Sequence, residues 1–266
     1  MKSYQDAQKP YCLSKTRSKP RSGGPSRSII AARPGVSAIW LLKLPPGPLG
    51  SHDSGRVVNV SRLKSLKRLS ATANELNAMA RSLKANKGSV YLADQATESK
   101  VKQLDLSNVQ VLAFATHALI TNQKGVPEPG LVLTPPKTQQ DSNDFDDGFL
   151  SASEVAQLKL NADWVILSAC NTASDDGTLG AEGLSGLAKA FFYAGSRSLL
   201  VSHWSVESSS SVKLTTRMIK EAANDNKVGH AEALKRSIMH LMMEDKKTVY
   251  AHPMFWAPFS IVGEGK

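Results

Sequence analysis

The chain has 266 residues, of which 41% are hydrophobic, and a formal net charge of +10. Its length allows one large domain or two modest ones with a packed core. The positive charge lies at one end: residues 1–70 hold 14 Lys/Arg and 2 Asp/Glu, leaving 19 of the 33 Lys/Arg and 21 of the 23 Asp/Glu for residues 71–266. A nearly neutral body argues against a nucleic-acid-binding domain, and we expect the basic end to be solvated.

The two cysteines, Cys12 and Cys170, are too few for a disulfide framework or a cysteine-rich zinc site, which favours a reducing compartment. The apolar run that begins at Ala38 ends at Lys43, far short of the roughly 18–20 residues of a membrane span. It also lies too far along the chain for a signal peptide. We therefore predict a soluble, cytoplasmic protein without membrane contact.

Composition divides the chain into two parts. Residues 1–65 are rich in Ser, Arg, Lys, Pro and Gly and have no sustained periodicity, so we predict a basic, disordered tail. Residues 66–266 are predicted to form the folded domain. It begins with an amphipathic helix near Ser70, in which Thr72 and Glu75 have the spacing of a capping box.

Beyond this helix, short apolar strands alternate with helices. Strands are predicted at 89–93, 109–115, 164–169 and 198–202, with a closing strand within 255–262, and helices at 97–104, 153–158, 180–194, 207–223 and 230–243. Strands joined by helical crossovers form a mainly parallel sheet covered on both faces. The predicted fold class is therefore α/β, with helices on both sides of the sheet.

Neither a metal nor a nucleotide cofactor is predicted. The acidic run at 141–147 lacks the ligand order and the closing Glu of an EF-hand. Gly180, Gly183 and Gly186 superficially resemble a dinucleotide fingerprint but have no phosphate-turn context. The long polar stretch at 121–148 is instead expected to bind substrate or to be cleaved on activation, since long loops are often functional.

His117 and Cys170 each directly follow an apolar strand. Ligands of parallel sheets bind at the carboxyl ends of the strands, and neighbouring strands lie about 4.8 Å apart, so these side chains can meet at one edge. An imidazole can deprotonate a thiol for attack on a carbonyl carbon. Their separation of 53 residues agrees with the spacing of about 50 in caspases. Either residue alone would more often be a core residue, but their joint placement favours a catalytic pair.

A third strand is followed by His203, Trp204 and Ser205. We predict that Trp204 and Ser205 bind substrate, because side chains at this edge form pocket walls. The alternative for Trp204 is a core indole whose N–H is hydrogen-bonded. His203 is a rival for the general base, which we place behind His117.

Four motifs occur in the order seen in CHAT domains, which are caspase-like domains often fused to tetratricopeptide repeats. They read FATH at 114–117, LSACNTA at 167–173, EGLSGLAKAFFYAG at 182–195 and HPMFWAPF at 252–259. The chain resembles this family from about residue 70 to 265. The resemblance implies the caspase–hemoglobinase fold, His117 as general base and Cys170 as nucleophile of a cysteine peptidase, a protein or peptide substrate, and a tetratricopeptide-repeat or other regulatory partner.

Two departures from the family pattern leave an alternative open. The family commonly has Gly after the His, where this chain has Ala118; the backbone N–H groups of Ala118 and Cys170 are the predicted oxyanion donors, and Ala resists positive φ. Residues 1–65 do not resemble the start of a CHAT domain, so we expect a truncated or rearranged copy. The alternative function is a catalytically inactive interaction or signalling module. Nucleic-acid binding by the tail has no reader motif to support it.

Overall fold

The computed structural model describes residues 63, 66, 69, 71–86, 88–119, 126, 128–136, 146–168, 181–204, 206–244 and 249–265, with the backbone alone at 181–185 and 244. Most of the predicted tail, residues 1–65, lies outside these ranges. Leu63 is an exception, because it is fully buried in a small cluster with Leu119, Val126, Val132 and Phe149. Core packing therefore begins no later than Leu63.

The described helices are α1 (Thr72–Ser82), α2 (Glu98–Gln103), α3 (Ala152–Val155), α4 (Ala181–Ala194), α5 (Ser208–Asn224) and α6 (His230–Glu244). The strands are β1 (Val111–Phe114), β2 (Ala118–Leu119), β3 (Gly130–Val132), β4 (Phe149–Ser151), β5 (Trp164–Leu167), β6 (Ser198–Ser202) and β7 (Phe259–Gly263). Short 3₁₀ helices cover Ala93–Gln95, Val249–Ala251 and Pro253–Phe255.

The principal sheet has the strand order β1-β5-β6-β7. Strands β1, β5 and β6 are parallel, and β7 closes the sheet antiparallel to β6. The helical segments α3 and α4 connect the parallel strands, as expected of crossover connections. The predicted α/β fold with a mainly parallel sheet is confirmed.

Both faces of this sheet are buried, which explains why its strands read as continuous apolar runs. Along β1, Leu112 and Phe114 pack on one side with Phe191 of α4. Val111 and Ala113 face the other side, where the core is completed by α1, α5 and α6. The carboxyl ends of β1 and β5 are thus held between two helical layers.

A second, three-stranded antiparallel sheet, β2-β3-β4, was not predicted. Its strands have two or three residues each, too few for a periodic pattern, and they are defined by pairing across the long polar stretch. Directly before β4, Gly148 has a φ of +85°, a left-handed conformation that favours glycine. A Cβ at this position would lie 2.6 Å from Pro135 Cα. The Gly148 carbonyl accepts a 2.8 Å hydrogen bond from Leu133 N.

The predicted strand at 89–93 is wrong. Its side chains do alternate, with Val90 and Leu92 packing on one core and Tyr91 on the other. Extended chain becomes a strand only where its backbone pairs with a neighbour, and no ladder forms at these residues. The chain instead turns into the 3₁₀ helix Ala93–Gln95.

Candidate functional site

His117 lies at the junction of the two sheets, three residues after β1 and directly before β2. It is buried, with 4% of its surface exposed. Its carbonyl oxygen accepts a 2.8 Å hydrogen bond from Val132 N, and the hydroxyl of the preceding Thr116 donates to Val132 O. The second sheet therefore fixes the backbone on which the candidate base is carried.

The neighbouring strand leads toward the candidate nucleophile. β1 and β5 pair directly in parallel, with Phe114 opposite Leu167. A catalytic pair at this edge requires that the two strands be neighbours, and they are. Cys170 itself lies outside the described residues, whose last member in this segment is Ser168.

Directly after β5, the hydroxyl of Ser168 donates a 2.7 Å hydrogen bond to Glu75 Oε1 of α1. The same oxygen lies 2.6 Å from Thr215 Oγ1 of α5, and Ser168 Oγ lies 3.4 Å from Ser211 Oγ. Glu75 is 1% exposed. Burial raises the pKa of Glu75 above its ordinary value of 4.5, opposed by the hydrogen bonds with Thr215 and Ser168.

This position of Glu75 corrects the predicted capping box. The residue that precedes α1 is Ala71, without a side-chain cap, and Thr72 donates its hydroxyl to Leu69 O at 2.7 Å. The Glu75 carboxyl points into the core instead of folding back on the helix end. The sequence spacing assigned Glu75 to a helix cap, which is a contact within the helix. Its actual partners lie 93 and 140 residues away, so the spacing of neighbouring residues could not indicate them.

Ala118 does not strain the loop that it occupies. It is the first residue of β2, buried and paired with Leu131. Among the described residues other than glycine, positive φ occurs at Lys84 and Ala93 and not at Ala118. An alanine therefore fits this backbone without the penalty that a left-handed conformation would impose.

His203, which directly follows β6, contacts the segment around β7. His203 N donates a 3.0 Å hydrogen bond to Pro258 O, and His203 Nε2 lies 3.1 Å from Ser260 Oγ of β7. The structure thus brings the rival base to β7, across β6 and β5 from His117. Trp204 is 40% exposed and so is not a core indole. Ser205 lies outside the described residues.

A surface cavity of about 420 Å³ has a basic lining that includes Lys213 and Arg217 of α5 and His240 of α6. Neither His117 nor Ser168 contributes to it. Arg217 donates to Glu221 at 2.6 Å and contacts His240 at 3.1 Å, and Lys213 lies over the Tyr250 ring. These contacts account for the basic groups as packing between helices, so the candidate site remains at the sheet edge.

The described part of the chain holds no group of three or more His, Cys, Asp or Glu side chains that could bind a metal ion. It also has no helix of the length and apolarity needed to cross a membrane.

Comparison with known proteins gives relatives of the sequence and of the fold. Tetratricopeptide repeat protein 28 of Mus musculus is 25% identical in an alignment of 197 residues, and the match covers 65% of this chain and 8% of that protein. The crystal structure of gingipain R (RgpB), an Arg-specific cysteine proteinase, has a TM-score of 0.51 at 11% identity, covering 87% of this chain and 46% of that one. The complex of the RgpB pro- and mature domains from Porphyromonas gingivalis has a TM-score of 0.50 at 12% identity, covering 87% and 47%.

These relatives are much longer than this chain, which spans less than half of either gingipain chain and a small part of the mouse protein. At 11–12% identity the structural likeness shows the fold, which is caspase-like. The sequence model of the CHAT domain family matches residues 6–264, starting well upstream of the first motif. Because this match covers nearly the whole chain, the chain belongs to the CHAT domain family.

Proposed function

We propose that this chain is a cysteine peptidase domain that hydrolyses peptide bonds of a protein substrate through Cys170 and His117. The observation that carries the proposal is the register of the sheet. Phe114 and Leu167 lie opposite each other in parallel strands, and His117 and Cys170 each follow that pair by three residues. Equal offsets from a paired position favour meeting at the same edge.

In the proposed reaction, the Cys170 thiol gives its proton to the His117 imidazole and the thiolate attacks the peptide carbonyl carbon. The backbone N–H groups of Ala118 and Cys170 stabilise the oxyanion. Imidazolium then protonates the leaving amine. Water, deprotonated by His117, hydrolyses the acyl-enzyme and returns the thiol. Trp204 and Ser205 are the proposed substrate-binding residues, and the exposed indole of Trp204 supports this role.

The burial and anchoring of His117 support its proposed role as the base. The His117 carbonyl accepts a hydrogen bond from Val132 N and the Thr116 hydroxyl donates to Val132 O, so the backbone that carries the ring is held in place. A catalytic group held in this way loses little conformational freedom during reaction. His203 contacts Ser260 instead, which favours His117 over it.

Labelling with a peptidyl electrophile that alkylates activated thiols tests the dyad. Mass spectrometry compares Cys170 with Cys12, which serves as a reference thiol within the same chain. We expect Cys170 to react faster than Cys12 at neutral pH, His117→Gln to remove this difference, and His203→Gln to leave it. Unchanged labelling of Cys170 in the His117→Gln protein would contradict the dyad. A peptide library with basic and acidic residues before the scissile bond then reports hydrolysis and its preference.

The second candidate function is a catalytically inactive interaction module. It is favoured by the mouse relative, a tetratricopeptide repeat protein of which the matched region is 8%. We propose a tetratricopeptide-repeat or other regulatory protein as a partner in either case. Under the second candidate, Cys170→Ala leaves partner binding unchanged and the intact chain hydrolyses no member of the peptide library.

A further inference from the structure

Glu75 is a buried carboxyl group that the proposed dyad does not use. Burying such a group costs free energy even when it is hydrogen-bonded, and an apolar residue of the same volume is often as stable. Its contacts join three elements, because Glu75 lies on α1, Ser168 follows β5, and Thr215 lies on α5. The partners from β5 and α5 are hydroxyls, and no charged side chain contributes to the shifted pKa of Glu75.

We propose that Glu75 is a positioning residue that holds Ser168, and with it the exit of β5, in the conformation from which Cys170 is presented to His117. The inference rests on the proposed function. β5 ends at Leu167, and the side chain of the residue that follows it is hydrogen-bonded to Glu75 of α1. Ser168 is the first residue beyond the strand and precedes Cys170 by two.

The hydrogen bonds around Thr215 differ between protonated and ionised Glu75. Thr215 Oγ1 lies 2.6 Å from Glu75 Oε1 and 2.8 Å from Ser211 O. A hydroxyl carries one proton, so both contacts are fully satisfied when the carboxyl is protonated and donates to Thr215 while Thr215 donates to Ser211 O. Ionised Glu75 instead takes the Thr215 proton and leaves the Ser211 carbonyl without it.

Substitutions at Glu75 and Ser168 can separate the effect of the charge on Glu75 from the effect of its hydrogen bonds. Glu75→Gln keeps both contacts without a charge, because the amide oxygen can accept from Ser168 and Thr215 or the amide NH₂ can donate to both. Glu75→Met retains the volume and removes both hydrogen bonds. Ser168→Ala removes the other partner of the contact and guards against a poorly folding Glu75 variant. Thermal unfolding establishes that each protein is folded before its reactivity is compared.

The experiment measures two quantities on each folded variant: the labelling rate of Cys170 relative to Cys12, and hydrogen exchange of the amides at 165–172. We expect Glu75→Met and Ser168→Ala to slow Cys170 labelling by about tenfold or more, as a misplaced reacting group does. Both should speed exchange after Leu167, and the double variant should add nothing further, because both changes break one contact. Glu75→Gln should restore both quantities.

The outcomes separate the two proposals. Labelling and exchange that stay at wild-type values in folded Glu75→Met and Ser168→Ala proteins would overturn the positioning role while leaving the dyad intact. Wild-type Cys170 that reacts no faster than Cys12 would overturn the dyad. Hydrogen exchange then still decides whether Glu75 fixes the exit of β5, because this readout needs no catalysis.

Discussion

The imidazole of His230 stacks on the indole of Trp164, with ring centroids 4.2 Å apart and 15° between the ring planes. Ser198 Oγ lies 2.8 Å from His230 Nδ1. The contact joins the first residue of α6 to the buried start of β5. Burial lowers the pKa of His230 below its ordinary value of 6.5, an effect that the nearby charge of Asp163 opposes.

We predict that this stack makes stability fall in acid. The pKa of His230 is lower in the folded chain than in the unfolded chain, so the unfolded chain binds the proton more tightly as the pH falls below 6.5. His230→Gln removes this dependence, so the melting temperature of the wild type should fall more steeply between pH 7.5 and 5. Exposed His252 provides the control variant His252→Gln, which should follow the wild type. Parallel curves for the wild type and His230→Gln would contradict the prediction.

The pH dependence of stability that comes from Glu75 should have the opposite sign to that from His230. Its pKa is raised in the folded chain, so the folded chain binds the proton more tightly, and stability should decline as the pH rises above 4.5 and through the folded-state pKa. Glu75→Gln cannot ionise and should lack this decline. Urea unfolding of both proteins across pH 4–9 measures the difference, which should widen with rising pH in favour of the variant. A constant difference would show that Glu75 does not change protonation on unfolding.

Gly148→Ala should destabilise the protein by about 3 kcal/mol or more, because it combines a left-handed backbone with overlap against another chain segment. The added Cβ would lie 2.6 Å from Pro135 Cα at a φ of +85°. Gly88 is the matched control, since its φ is +93° and a Cβ there has no neighbour within 4 Å. Gly88→Ala should therefore cost about 1 kcal/mol, from backbone strain alone. Equal losses in urea unfolding would mean that the overlap relaxes without cost.

Ala118→Gly should not increase the reactivity of Cys170, although it restores the residue that the family commonly has. Ala118 is extended and buried within β2, a backbone conformation that alanine adopts as readily as glycine. The change should instead cost about 0.5–1 kcal/mol of stability from the added backbone freedom. Labelling relative to Cys12 and thermal unfolding measure the two effects. A marked gain in labelling would show that the alanine limits the site.

Trp204→Ala should weaken recognition of a peptidyl probe with little effect on stability. The indole is 40% exposed, so its removal opens no core cavity. The expected result is a higher probe concentration for half-maximal labelling of Cys170 at an unchanged maximal rate. Tyr193→Ala is the control, because Tyr193 is an exposed aromatic residue on α4. An identical response to both variants would remove Trp204 from the substrate site.

Elements whose signal is local could be predicted from the sequence. The apolar run of β6 gave its bounds, and the amphipathic pattern gave α5 and α6 to within a residue at either end. The sheet β2-β3-β4 could not be found, because its short strands are specified by their partners and not by periodicity. The same reason explains residues 89–93, whose side chains alternate without a paired backbone.

The candidate site divides in the same way. Strand ends and motifs pointed to His117 and Cys170, and the neighbouring placement of β1 and β5 agrees with that hypothesis. No sequence pattern near Glu75 indicates its contact with Ser168, because a glutamate at the fourth position of a helix is more simply interpreted as a capping residue. A polar residue at a core position of an amphipathic helix, between Thr72 and Leu76, was the signal available.

The long sequence separations around Glu75 also determine when the site can form during folding. Its contacts close loops of 93 residues to Ser168 and 140 residues to Thr215, so the chain must bring α1, β5 and α5 together before the carboxyl has its partners. Contacts of such separation form late, because loop-closure entropy must be overcome first. A chain emerging from the ribosome therefore lacks the contact between Glu75 and Thr215 until α5 has been made. Under the proposed function, the order of synthesis itself delays completion of the site around the proposed nucleophile.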